Sequence, residues 1–328
     1  MTTTPLLPEE KLAQANQLLT ALRSELAKAL VGQAQVIDEV LIGLLCEAHV
    51  LIEGVPGLGK TLLVKALGKT FDGEVKRIQF TPDLMPSDVV GHTFFDHATT
   101  RFVTRQGPVF ANLLLADEIN RAPAKTQAAL LEAMQERQVT LDSQSTALPK
   151  PFMVLATQNP IEQEGTYPLP EAQLDRFLLK IRIDYPSAAE ELALTRQVTD
   201  RSSGADLQVD QVKTLIQTAT ILALQQCASL VAVDERVLAY AVAIVRATRE
   251  SASFTCGAGP RGSIALIRAG RARALMQGRA YVTPDDVKAV ALPALRHRVA
   301  PAAEAQIEGL DVDHLLKALL DGVPAPRS

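Results

Sequence analysis

The sequence contains no tryptophan, and aromatic residues make up only 4% of it. A core must therefore be built from Leu, Val, Ile and Ala, and few side chains are available for stacking on nucleic acid bases. The three cysteines, Cys46, Cys227 and Cys256, lie far apart. No C-x-x-C pair and no Cys/His cluster with zinc spacing exists, which argues for idle thiols in a reducing compartment. Long apolar runs are missing too. The most apolar stretch, Leu41 to Ile52, contains Glu47 and His49, whereas a membrane span needs about twenty apolar residues. The N-terminal MTTTPLLPEE lacks a charged region followed by an apolar one, so no secretion signal is expected and the protein is expected to be cytoplasmic. Nor is positive charge in excess. Lys and Arg number 33 against 37 Asp and Glu, a net charge of -4, so no global field draws a nucleic acid backbone.

What is present is a chain of 328 residues, 47% hydrophobic and 21% charged, the composition of a globular protein. Residues 9–30 carry Leu12, Leu18, Leu19, Leu22, Leu26 and Leu30 at helical spacing, and a second helical stretch runs from about Val36 to Cys46. Buried strands are expected at His49–Glu53, Val75–Phe80, Phe152–Ala156 and Phe177–Ile183, with another apolar run at Asn112–Ala116. Helices are expected at Thr61–Lys69 and Thr126–Arg137. Nearly continuous apolar strands alternating with helices predict a parallel sheet covered on both faces. After Tyr185-Pro186-Ser187 the pattern turns helical, so the expected division is an α/β core over 1–186, including the N-terminal helices, and an α-helical domain over 187–328.

Gly54-Val55-Pro56-Gly57-Leu58-Gly59-Lys60-Thr61 fits the pattern G-x-x-x-x-G-K-[ST] in full, between an apolar strand and a helix. The glycines let successive N–H groups turn inward as a phosphate cradle, and the helix adds its positive end. Lys60 is expected to reach the β- and γ-phosphates, and the Thr61 hydroxyl to ligate Mg²⁺. Downstream, the apolar run Leu113–Ala116 ends in Asp117-Glu118. Asp117 would hold Mg²⁺ and Glu118 would act as general base on the lytic water. Paired acids also end strands at ordinary surfaces; the P-loop upstream is what favours the catalytic reading.

The series GVPGLGKT, LLLADEINRAPAKTQAALLEAMQERQVT, LATQNP and LPEAQLDRF resembles the MoxR family of AAA+ ATPases, densely over residues 31 to about 185 and more weakly beyond. The resemblance implies a P-loop AAA+ core with a C-terminal α-helical lid, ATP and Mg²⁺ as ligands, and an ATP phosphohydrolase. It also assigns roles. Asn159 matches sensor 1, which hydrogen-bonds the γ-phosphate, although Asn159-Pro160 is also a turn signal. Arg176 in Leu174-Asp175-Arg176-Phe177 matches the arginine finger offered to a neighbouring subunit. Arg261 in Gly259-Pro260-Arg261 resembles sensor 2, reaching the γ-phosphate of its own subunit, and opens a helix expected over Ser263–Gln277. Val31-Gly32-Gln33 resembles the segment lining the adenine pocket. Arg121 is either an interface residue or a solvated one.

The resemblance further implies a ring oligomer, with six copies as the family expectation, and chaperone-like remodelling or maturation of partner complexes. A von Willebrand factor A domain protein and metal-cofactor insertion are typical contexts in that family. No such module follows the helical domain here, so a separate client or adaptor protein is expected. Residues 91–107 match an inserted hairpin, with strands near Gly91–Asp96 and Arg101–Val103. His92 and His97 have no third ligand nearby and read as exposed loop residues. The competing function is an AAA+ motor acting on nucleic acid, against which the acidic balance and scarce aromatics weigh.

Overall fold

A computed structural model describes residues 7–55, 57–142, 144–159, 165–199 and 209–326. Two helices come first, α1 (Glu9–Ala29) and α2 (Ala34–Leu45). The expected face of α1 is the buried one, with Leu19, Leu22 and Leu26 inside. Five parallel strands then form one sheet: β1 (Val50–Gly54), β2 (Val75–Gln79), β3 (Leu113–Asp117), β4 (Met153–Gln158) and β5 (Leu179–Ile183). Their order is β2-β3-β4-β1-β5. Helix α3 (Lys60–Thr70) follows β1, and α4 (Ala124–Glu136) follows β3.

Alternate residues of these strands enter two separate cores. Val50, Ile52, Leu113 and Leu115 point into one with α1, α2 and α3, while Leu51, Leu114 and Ala116 point into the other with Leu130, Leu131 and Met134 of α4. A strand with both faces covered has no solvent side, which is why these segments read as unbroken apolar runs. The register brings the C-terminal ends together: Gln79 lies opposite Asp117, Glu53 opposite Gln158 and Gly54 opposite Ile183.

Beyond β5 the chain is mainly helical: α5 (Ala188–Thr199), α6 (Thr218–Leu230), α7 (Glu235–Glu250), α8 (Pro260–Met276), α9 (Pro284–Leu295) and α10 (Val312–Gly322). The apolar faces of α6 to α10 join the same core as α1 and α2. The first helices thus pack against both the sheet and the C-terminal helices. Among the described residues no helix is long and apolar enough to cross a membrane.

Two hairpins project from the core. One pairs Gly91–Asp96 with Arg101–Gln106, longer in its second strand than the sequence suggests, and His92 stands in its first strand rather than in a loop. The other, Gln138–Leu141 with Gln144–Ala147, was not expected; Val139 and Leu141 alternate with polar residues over only four positions, and its second strand is polar and exposed.

Candidate functional site

At the end of β1 the chain turns through Gly54 and Gly59 into α3. Gly59 has φ +78°, and a Cβ on Gly54 would lie 2.8 Å from the Ile183 carbonyl of β5. Both positions exclude ordinary side chains, the first by backbone angle and the second by space. Pro56 lies outside the described residues. Lys60 and Thr61 open α3, where N–H groups have no partner within the helix and the dipole favours an anion. The Lys60 ammonium donates to the Gly54 carbonyl at 2.5 Å. Burial pulls its pKa down, and the carboxylates of Asp117, Glu118 and Glu53 oppose that shift. The lysine and the acid pair are therefore electrostatic neighbours at one sheet edge.

Asp117 ends β3, and Glu118 follows in the left-handed region at φ 56°. A glutamate held there stores roughly 1–3 kcal/mol of backbone strain, characteristic of functional turns. Side chains from the adjoining strands fix both acids. Thr157 donates to Asp117 Oδ1 at 2.5 Å and accepts the Glu118 N–H at 2.8 Å. Arg77 donates to Asp117 Oδ2 at 2.7 Å, and Gln79 Nε2 to Glu118 Oε2 at 2.7 Å. Arg121 forms an ion pair with Glu118 at 3.2 Å. Asn159 is buried directly after β4 at the same edge.

Sequence reasoning missed Arg77, Gln79 and Thr157. The available signal was their position at the ends of predicted strands beside the acid pair. With both oxygens of Asp117 engaged, a cation between it and Thr61 would be reached through water. That arrangement suits Mg²⁺, which keeps several waters and takes few carboxylates alongside substrate phosphates. Among the described residues no cluster of His, Cys, Asp and Glu offers a self-sufficient metal site.

Gly32 and Gln33 line a cavity of about 580 Å³, together with Asp184, Tyr185 and Glu190. Gln33 Nε2 donates to the Leu58 carbonyl at 3.2 Å, which ties this cavity to the phosphate loop and fixes the amide orientation. Gln33 Oε1 is then a buried acceptor without a partner among the described residues. An acceptor of that kind fits an exocyclic amine such as that of adenine.

Arg176 and Arg261 lie elsewhere. Both line a second cavity, of about 300 Å³, with His49, Asp175, Arg268 and Arg298. Arg176 and Asp175 precede β5, and His49 precedes β1, so this cavity opens at the N-terminal edge of the sheet. Five residues of β1 separate the edges, a rise of roughly 16 Å at about 3.3 Å per residue. Arg261 is anchored there by Asp175 at 3.5 Å, and Asp175 is held by Arg298 at 2.7 Å. The expectation that Arg261 reaches the phosphates of its own subunit is therefore corrected: the docking of α8 carries it to the edge opposite Lys60. Helix α8 itself starts at Pro260, before the expected Ser263.

Comparison with known proteins agrees with this architecture. Residues 49–179 match the family model for the ATPase family associated with various cellular activities (AAA), and residues 246–318 match the AAA lid domain. The chain is 43% identical to a Mycobacterium tuberculosis protein named Chaperone MoxR1, over 92% of this chain and 81% of that protein. It is 44% identical to YeaC of Bacillus subtilis, over 91% of this chain and 92% of YeaC. A crystal structure of a candidate ATPase from Cytophaga hutchinsonii superposes with a TM-score of 0.88 at 41% identity, covering 97% of this chain and 98% of that one. The fold and site define an AAA+ P-loop protein with a helical lid. Within that class the chain belongs to the MoxR family.

Proposed function

We propose that the protein hydrolyses ATP between neighbouring copies of itself in a ring, and uses the motion of residues 187–328 against the core to remodel a partner protein. The observation that carries this reading is the division of the site. Lys60, Asp117, Glu118 and Asn159 share one sheet edge, while Arg176 and Arg261 share the opposite one. Cationic groups on one edge complete the phosphate site of the next copy only through a head-to-tail interface, and such interfaces form rings when the rotation between copies closes. Six copies is the family expectation.

In this reading the phosphate loop and Lys60 bind the triphosphate, and Gln33 accepts from the adenine amine. Glu118 orients the attacking water and takes its proton. Asn159 holds the γ-phosphate, and Arg176 and Arg261 of the adjacent copy stabilise charge on it. Magnesium held by Thr61 and, through water, by Asp117 would supply charge neutralisation on the phosphates.

A relative named as a chaperone supports a protein target. The client is a separate chain, with a von Willebrand factor A domain protein as the first candidate and metal-cofactor maturation as one setting. The hairpin Gly91–Gln106, which exposes Phe94, Phe95 and Phe102, is the surface through which it is engaged. The test is Glu118→Gln: ATP binding close to wild type, turnover lower by about a hundredfold or more, and client retained on the protein. Undiminished turnover would remove Glu118 from its role and the mechanism with it.

A further inference from the structure

A third cleft opens near the N-terminal edge of the sheet, where the end of α2 meets α6 and α8. It encloses about 350 Å³ and is lined by Cys46, Glu47, Gln225, Ser229, Arg268 and Arg271. Its charges do not balance. Glu47, its one carboxylate, is already committed to Arg137 at 2.6 Å. The Cys46 thiol is pushed up to about 12 by burial and stays neutral. Arg268 spends part of its guanidinium on the Cys46 carbonyl. Arg271, three residues further along the same face of α8, has no hydrogen bond or ion pair among the described residues, and its Nε is buried without a partner.

A half-buried guanidinium without an anion is a costly arrangement, because desolvation weakens its charged form with nothing to offset it. Burial lowers the pKa of Arg271, and no neighbouring carboxylate opposes it. A second unmet group stands opposite. Gln225 Nε2 donates to the Leu44 carbonyl at 2.7 Å, leaving Oε1 as a buried acceptor with no partner among the described residues. The cleft thus offers a fork of donors on one wall and a lone acceptor on another, in a volume suited to a small molecule.

We propose that this cleft binds a small anion whose carboxylate or phosphate pairs with Arg271 and Arg268 and whose hydroxyl, amine or protonated oxygen donates to Gln225 Oε1. This site is separate from the phosphate loop, which lies at the other sheet edge. A ligand here would brace α2 against α8, the helix that carries Arg261 at its start.

Calorimetric titration of the full chain with L-malate, succinate and inorganic phosphate tests the proposal. L-malate carries the donor that succinate lacks, and phosphate separates the two anion chemistries. The expected result is saturable L-malate or phosphate binding that persists in Lys60→Ala. Arg271→Gln should weaken it by about tenfold or more while ATP still binds, which shows the variant is folded. If L-malate is the preferred probe, Gln225→Leu should erase its advantage over succinate. No saturable binding of either anion to the wild type would overturn the proposal. So would equal binding to Arg271→Gln, or binding that vanishes in Lys60→Ala. If Arg271→Gln instead changes only the oligomeric state and no probe binds, the cleft is filled by a neighbouring copy and the small-anion site is refuted.

Discussion

The hydroxyl of Thr157 donates to Asp117 Oδ1 at 2.5 Å, and the same oxygen accepts the backbone N–H of Glu118 at 2.8 Å. One fully buried side chain therefore sets the direction of the carboxylate that would order magnesium and the backbone of the residue that would activate water. Thr157→Val preserves shape but leaves both groups without that partner. Nucleotide affinity should change little, because Lys60 and the phosphate loop are untouched. Turnover should fall by about tenfold to a hundredfold through misplacement of the acid pair, with a stability loss of roughly 1–3 kcal/mol from the orphaned N–H. Single-turnover hydrolysis beside an equilibrium binding titration separates the two effects; equal losses in both would contradict a positioning role.

The opposite placement of Lys60 and Arg261 predicts complementation. Lys60→Ala and Arg261→Ala should each have little ATPase activity alone. Mixed, they should regain a fraction of it, because some interfaces join an intact phosphate loop to an intact arginine. Arg176→Ala should behave like Arg261→Ala in the same mixing assay. If Arg261 served its own subunit, each copy in the mixture would still lack one essential group and activity would not return.

Much of this was legible because its chemistry is local. A phosphate cradle needs closely spaced glycines ahead of a helix, so Gly54 to Thr61 declares itself, and Asp117-Glu118 stands out at the end of an apolar strand. The side chains that hold those acids are not local. Arg77, Gln79 and Thr157 come from separate strands, and only the β2-β3-β4 order sets them beside the acid pair. The edge occupied by Arg261 depends on how α8 docks, through Asp175 and Arg298, and no periodicity encodes that. The second hairpin escaped for a different reason: the alternation of Val139 and Leu141 lasts only four residues and the pairing strand Gln144–Ala147 is polar and exposed.

His49 gives a pH signature to folding. Its Nδ1 accepts the Val154 N–H at 2.9 Å and its Nε2 donates to the Met134 carbonyl at 3.1 Å, so the buried ring is neutral. Burial lowers its pKa from 6.5 to about 4. Below pH 6.5 the unfolded chain takes up a proton that the folded ring refuses, so stability is complete above 6.5 and declines as pH falls toward 4. The shift corresponds to at most about 3 kcal/mol. Buried His297, also lowered by desolvation, adds a loss of the same sign. Urea midpoints measured from pH 7 to 5 should drop, and His49→Gln should flatten that drop. An unchanged slope in the variant would show that His49 does not contribute.

Arg298 ties the helical region to the sheet. Its side chain is 3% exposed, bonds Asp175 at 2.7 Å, and also donates to the carbonyls of Phe177, Leu178 and Ala294. Burial pulls its pKa down, and Asp175 opposes that shift without cancelling it. Arg298→Met keeps the length and removes the donors, leaving Asp175 with only the long contact to Arg261. Asp175 is partly open to water, so stranding it and losing the carbonyl contacts should destabilise the fold by about 1–3 kcal/mol. The double variant Arg298→Met, Asp175→Leu should recover part of that loss, because it removes the stranded carboxylate as well. ATPase activity should stay low in the double variant even where stability returns, since Arg261 no longer has its anchor. Recovery of activity together with stability would show that Asp175 serves packing alone and does not hold Arg261 in position.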